Sequence, residues 1–175
     1  MSLQSVGHER PHPSEPHPVP IDSRARAITE NPILNDARRR AAQVKLPYAG
    51  SIEPVDAWQL FSSLAAIIID VRSPEERLFV GYVPGTLHAP WAFGVGMVPN
   101  PNFIRELEAR VAKDAVVMFL CRSGKRSAAA AAQATKAGWL HAFSIAEGFE
   151  GELDNSRRRG GLGGWRHRGL PWIQQ

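Results

Sequence analysis

The chain has 175 residues, 43% of them hydrophobic, and a formal net charge of +4, which suits one globular domain with some chain to spare. Its single cysteine, Cys121, excludes an intramolecular disulfide scaffold, and its longest aliphatic run, Leu64–Ile69, has six residues against the ~20 of a membrane-spanning helix. Residues 1–50 carry a net +2, residues 51–150 a net −1 and residues 151–175 a net +3, so the basic excess sits at the ends and forms no stripe of the kind a nucleic-acid binder presents.

Residues 1–22 hold five of the 14 prolines, together with His8, His12 and His17. With almost nothing apolar to bury, this stretch reads as a disordered polar tail and not as a metal site. The first 30 residues contain no apolar run of the secretory kind, and the thiol is unpaired, so a cytoplasmic location is expected. Residues 23–50 read as an N-terminal arm that packs on the domain or on a partner. A helix is predicted within it over residues 33–46, capped by Asn35 or Asp36 and ended by Pro47.

The folded domain is expected over residues 51–175. A helix is predicted at Pro54–Ser63, followed by a buried strand at Ala65–Val71. Ser73–Glu76 combines a capping serine, proline at the first helical position and acids in the first turn. Pro84-Gly85 is a turn and Thr86–Ala89 a short strand. Pro101–Lys113 reads as a helix, Ala115–Leu120 as a second buried strand, Ser127–Ala137 as an alanine-rich helix ended by Gly138, and Trp139–Ile145 as the lead into a last strand. Strands alternating with helices predict an α/β fold, a parallel sheet with helices on both faces.

Ligands bind such sheets at the carboxyl ends of the strands. There, between the most apolar strand and a helix, stands Cys121-Arg122-Ser123-Gly124-Lys125-Arg126-Ser127. Backbone N–H groups of a tight strand-to-helix loop converge on anions, and the helix N-terminus adds positive potential. Arg122, Lys125 and Arg126 add cations, Gly124 permits a positive φ, and Ser127 can cap the helix. This setting favours a reactive thiolate. A cysteine that merely fills a strand end needs neither the three cations nor the glycine. A nucleotide P-loop is disfavoured, because Phe119 stands where its first glycine belongs and Arg126 follows Lys125. A phosphate-cradling cysteine phosphatase spaces cysteine and arginine by six, whereas Arg126 is only the fifth residue after Cys121. The smaller loop suits a transferable sulfur.

Three separated stretches, in order over roughly two-thirds of the chain, resemble the single-domain rhodanese family of sulfurtransferases. They are the loop Cys121–Arg126; Asp70-Val71-Arg72, Glu76 and Gly81–Thr86; and Glu147-Gly148-Phe149 with Gly164-Trp165 and Gly169–Trp172. Tyr82 stands where the family usually has histidine, and residues 157–164 are more basic than usual. The resemblance implies a rhodanese-like fold with about five parallel strands and helices on both faces. It implies sulfur transfer from a donor such as thiosulfate, through a Cys121 persulfide, to cyanide or a thiol. Residues 122–127 would bind the substrate, and Asp70 and Arg72 would support the loop. No cofactor or metal is implied. The partners expected are a small anionic donor, a thiophilic acceptor and a possible protein sulfur acceptor, with no nucleic acid or membrane. The alternatives are a persulfide carrier or binding module for one partner and, third, a cysteine phosphatase or arsenate reductase. Arg72 with Glu76 reads as a structural ion pair, and Trp91 is the one tryptophan placed near the site.

Overall fold

The computed structural model describes residues 30–174; the tail expected over 1–22 lies outside them. Helix α1 spans Pro32–Gln43. Its start lies earlier than predicted, because Asn31 is the cap: its side-chain oxygen accepts the N–H groups of Ile33 (3.0 Å) and Leu34 (3.2 Å). Pro32 at the first helical position has no N–H to satisfy. Leu34 and Ala37 are buried in the same core as Ile52 and Phe143, so this helix packs on the sheet.

The remaining elements are β1 (Gly50–Ile52), α2 (Pro54–Ser62), β2 (Ile67–Asp70), α3 (Pro74–Val80), β3 (Leu87–His88), β4 (Ala92–Phe93), β5 (Val98–Pro99), α4 (Phe103–Glu108), β6 (Val117–Leu120), α5 (Lys125–Lys136) and β7 (Ala142–Ile145). Helix α4 is shorter than the predicted 101–113. The N–H of Arg110 turns to the carbonyl of Leu107, three residues back, and the last turn tightens out of the α form. The hairpin β4–β5 has no counterpart in the sequence reading.

Five strands form a parallel sheet in the order β1-β7-β6-β2-β3. Side chains alternate across it. Ile68, Met118, Leu120, Phe143 and Ile145 face α1 and α2; Ile69, Val117, Phe119 and Ala142 face α4 and α5. The sheet is therefore covered on both faces, which is why β6 is buried at all four positions. From β2 the chain moves outward to β3, and from β6 it moves to β7 on the other side. The gap between β2 and β6 is the switch point of the sheet, where ligands bind such folds. Asp70 lies level with Leu120, so whatever follows β6 stands beside the end of β2.

Candidate active site

Cys121 follows directly on β6 and is 1% exposed. It belongs to the core on the α4–α5 face. The N–H of Gly124 donates to Cys121 Sγ at 3.1 Å. Gly124 has φ 92°, the left-handed conformation that the sequence assigned to it, and this folds the loop back onto the sulfur. The helix cap differs from expectation. Gly124 is the cap, α5 begins at Lys125, and Ser127 lies inside the first turn, fully buried. Ser127 Oγ donates to the Gly124 carbonyl at 2.9 Å and accepts from Cys121 Sγ at 3.3 Å. It is turned inward toward the sulfur instead of outward to free helix N–H groups.

The loop's carbonyls point the other way. Cys121 O accepts from Phe149 N–H at 2.7 Å, and Arg122 O accepts from Glu150 N–H (2.9 Å) and Gly151 N–H (3.2 Å). Peptides here are trans, so the N–H groups of Arg122 and Ser123 face away from that segment. Gly148 backs the loop so closely that a Cβ there would lie 2.6 Å from the Cys121 carbonyl oxygen and from Ser123 N. Ser144 on β7 adds a hydroxyl 2.9 Å from Ser127 Oγ. The sequence reading missed it, since only the register of β7 against β6 brings it there.

The cations separate into two kinds. Arg126 forks Glu76 with bonds of 2.6 and 2.7 Å and is 16% exposed. Burial pushes the Glu76 carboxyl up, but the bonds from Arg126 and Ser73 and the nearby Arg122 charge outweigh it, and the group is held below the usual range. Among the described residues Lys125 pairs with Glu152 alone, at 3.6 Å, and it is 82% exposed; Arg122 is also exposed, and Ser123 is half-buried.

The expected pair of Arg72 with Glu76 does not form. Arg72 pairs with Asp70, whose Oδ1 accepts Nε at 3.0 Å and whose Oδ2 accepts Nη2 at 2.7 Å. Two residues apart at the strand end, their side chains meet as a fork. Glu76 is turned elsewhere because it closes a capping box with Ser73 at the start of α3. Asp70 also accepts from Arg77 at 2.7 Å. Burial pushes its carboxyl up, the two arginines pull it further down, and the net result lies below the usual range. Arg72 donates to Gly81 O at 2.9 Å and stacks 4.0 Å over the Phe149 ring. Phe149 in turn holds the Cys121 carbonyl. Trp91 hangs from the end of β2, its N–H on Val71 O at 3.0 Å, and its ring meets Phe103 edge-on in the same core as Cys121. Of the basic run, Arg159 donates to Gly151 O at 2.6 Å. Among the described residues, no group of three or more metal-ligating side chains converges, and no helix is long and apolar enough to cross a membrane.

The profile of the rhodanese-like domain family matches residues 53–153. The crystal structure of Rv0390 from M. tuberculosis is 41% identical, covers 73% of this chain and 99% of its own, and superposes with a TM-score of 0.67. An uncharacterized protein of Rickettsia rickettsii, the RP600 homolog, is 32% identical over 119 residues, 65% of this chain and 87% of that protein. Senescence-associated protein DIN1 of Raphanus sativus is 32% identical over 83 residues, 46% of this chain and 45% of its own. The matched span opens just before α2 and takes in β2, β6 with the Cys121 loop, and β7, so the chain belongs to the rhodanese-like domain family.

Proposed function

We propose that this protein is a sulfurtransferase that moves a sulfane sulfur from a small anionic donor such as thiosulfate to a thiophilic acceptor, cyanide or a thiol. The observation that carries the reading is the seat of Cys121 Sγ, which accepts the Gly124 N–H at the N-terminus of α5, at the switch point of the sheet. In the first half-reaction the Cys121 thiolate attacks the sulfane sulfur. An S–S bond forms, the donor's S–S bond breaks, and sulfite leaves with the electron pair. In the second, the acceptor attacks the outer sulfur of the persulfide, and the pair of the broken bond returns to Cys121 Sγ. One transfer is thereby split into two displacements.

Arg122 and Lys125, exposed beside the thiol, attract the anionic donor; backbone N–H groups of residues 122–126 receive the charge on the outer sulfur. Arg126, paired with Glu76, holds the loop. Asp70 and Arg72 support it through Phe149. A thiol only 1% exposed admits a small donor in preference to a bulky one. Phosphate hydrolysis fits less well: Arg126 is the fifth residue after Cys121, one short of the phosphatase spacing, and its guanidinium, the group that would grip a phosphate, is forked onto Glu76.

The test is intact mass after incubation with thiosulfate. A gain of one sulfur, lost on adding cyanide and absent in Cys121→Ser, is expected. An unchanged mass, with efficient hydrolysis of an aryl phosphate, would replace this reading by the phosphatase one.

A further inference from the structure

Ser127 has one hydroxyl proton and three polar neighbours: Gly124 O at 2.9 Å, Ser144 Oγ at 2.9 Å and Cys121 Sγ at 3.3 Å. All three side chains are sealed from water, Cys121 at 1%, Ser127 at 0% and Ser144 at 2% exposure. Ser144 is the one polar residue of β7, whose other members are Ala142, Phe143 and Ile145. Register sets it beside Phe119, two residues before Cys121. A buried hydroxyl left unpaired costs ~1–3 kcal/mol.

Counting protons settles how the group is wired. Among the described residues, the side-chain partner of Ser144 Oγ is Ser127 Oγ. The Ser144 proton therefore points at Ser127, and the Ser127 proton is left with two destinations, the Gly124 carbonyl and the sulfur. While Cys121 is a thiol, its S–H donates to Ser127 and Ser127 donates to Gly124. Once the sulfur is anionic it has no proton to give. The Ser127 hydroxyl then rotates to donate to it, a second donor beside the Gly124 N–H, while Ser144 continues to donate to Ser127.

We propose that Ser144 is a positioning residue for sulfur transfer: by donating to Ser127 Oγ it holds and polarises the Ser127 hydroxyl, whose proton follows the charge on Cys121 Sγ. The proposal rests on the persulfide reading above. No proton is transferred; a hydroxyl turns. The two half-reactions use it unequally. In the first, a donor on the nucleophile raises the share of thiolate but blunts its attack, so the effects partly offset. In the second, Cys121 Sγ is the leaving group, and the charge developing on it meets the Ser127 proton directly. Loss of Ser144 therefore slows discharge of the persulfide more than its formation.

The experiment uses the full chain with Ser144→Ala and Ser144→Thr, the second keeping the hydroxyl. Alkylation of Cys121 by iodoacetamide is followed against pH, and discharge of a preformed persulfide by cyanide is followed by intact mass. Ser144→Ala is expected to alkylate about 3–10-fold more slowly than the wild type at about pH 7 and to converge with it at about pH 10, with discharge slowed at least as much. Ser144→Thr should keep wild-type behaviour in both. An alkylation profile identical to the wild type overturns the proposal. So does a deficit of equal size at every pH, which marks a loosened loop, or an unchanged discharge rate. Should Ser144→Ala fail to fold, Ser144→Val, which has the shape of the Ser144→Thr side chain without its hydroxyl, takes its place, and the same outcomes apply. A wild-type chain that takes no sulfur from thiosulfate defeats the proposed function, while the alkylation profile still decides the role of Ser144.

Discussion

Arg72 and Arg126 flank the same loop, one sealed in the core and the other at its rim. Arg72 is 0% exposed, forked onto Asp70, bonded to Gly81 and stacked on Phe149. Arg126 is 16% exposed and forked onto Glu76, which is 17% exposed and belongs to a different element. The first pair joins residues two apart at the end of one strand; the second joins residues 50 apart, across the gap between β2 and β6. A pair closed by neighbours in sequence is set as soon as the strand ends. A pair closed across the site forms only when the loop is in place, and water can reach it. The inner pair therefore serves the fold first, and the outer pair serves the geometry of the loop.

Changes at the inner pair are expected to have the largest effect. Asp70→Asn leaves two arginines facing a neutral group, one of them fully buried. Breaking a buried pair in this way costs about 3–5 kcal/mol, or about 6–20 °C in Tm for a chain of this size. Arg72→Met, which leaves a buried carboxylate beside Arg77 alone, should fall in the same range. Differential scanning calorimetry measures both. A shift within a few degrees would mean that the pair is a bystander to folding. Cys121→Ser is the control from the other side: sulfur transfer is abolished, and Tm and far-UV circular dichroism stay at wild-type values.

Acid provides a second way to separate the pairs. Asp70 and Glu76 are both held below the usual carboxyl range. A depressed folded value contributes stability that is full above the unfolded value, about pH 4, and is lost as pH falls through the folded value below it. The contribution of these two carboxyls should therefore be level above about pH 5 and drop below about pH 4. It lies beneath a separate decline that begins as pH falls through about 6.5, where His88 and His141, both held below the usual imidazole range chiefly by burial, resist protonation in the fold. Asp70→Asn removes one of these proton uptakes, so its drop should be shallower than the wild type's, from a lower plateau. Equal acid slopes in the two proteins would show that Asp70 titrates alike folded and unfolded.

At the rim the expected effects are smaller, and they differ in sign. Glu76→Gln and Arg126→Gln each break the fork and should lower kcat several-fold, with a loss of stability of about 1–3 kcal/mol. Glu76→Gln frees a guanidinium for the donor, so KM for thiosulfate should fall; Arg126→Gln removes it, so KM should rise. Both variants moving KM in one direction would mean that the fork matters only as a brace.

How far all this is legible in the sequence depends on the distance over which each feature is decided. Strand β6 is apolar at every position because both faces are covered, and that shows in Val117–Leu120 alone. The alanines of α5 and the glycine that turns the loop are local as well, so the site around Cys121 can be placed without coordinates. Strand β1 cannot: three residues, Gly50–Ile52, carry no period of their own and become a strand by pairing with β7. Sequence proximity points Glu76 to Arg72, whereas Arg126, its partner in the fold, comes near it only after β6 inserts beside β2. Ser144 looks like any serine until the register of β7 sets it behind the sulfur. Ser127 has the composition of a cap, but Gly124 takes that role, because a left-handed residue was needed to bring its N–H onto the thiol.

The smallest effect belongs to the two exposed cations. Lys125 is 82% exposed and pairs with Glu152, itself 54% exposed, at 3.6 Å. Arg122 stands near enough for its charge to act on the Glu76 carboxyl, yet it too lies in water. Charges so placed act on a dianion through a high dielectric and are screened by salt over about 8–10 Å. They steer the donor and do not grip it. Arg122→Gln or Lys125→Gln should therefore raise KM for thiosulfate about two- to five-fold and leave kcat and Tm near wild type. Because Arg122 adjoins the thiol and Lys125 spends part of its charge on Glu152, Arg122→Gln should be the more costly of the two. Raising ionic strength should shrink the wild type's advantage over both variants, since it removes the attraction that they lack. A kcat loss that persists at high salt would place the affected cation in contact with the reacting sulfur, and Arg122 would then belong with the groups that touch the donor.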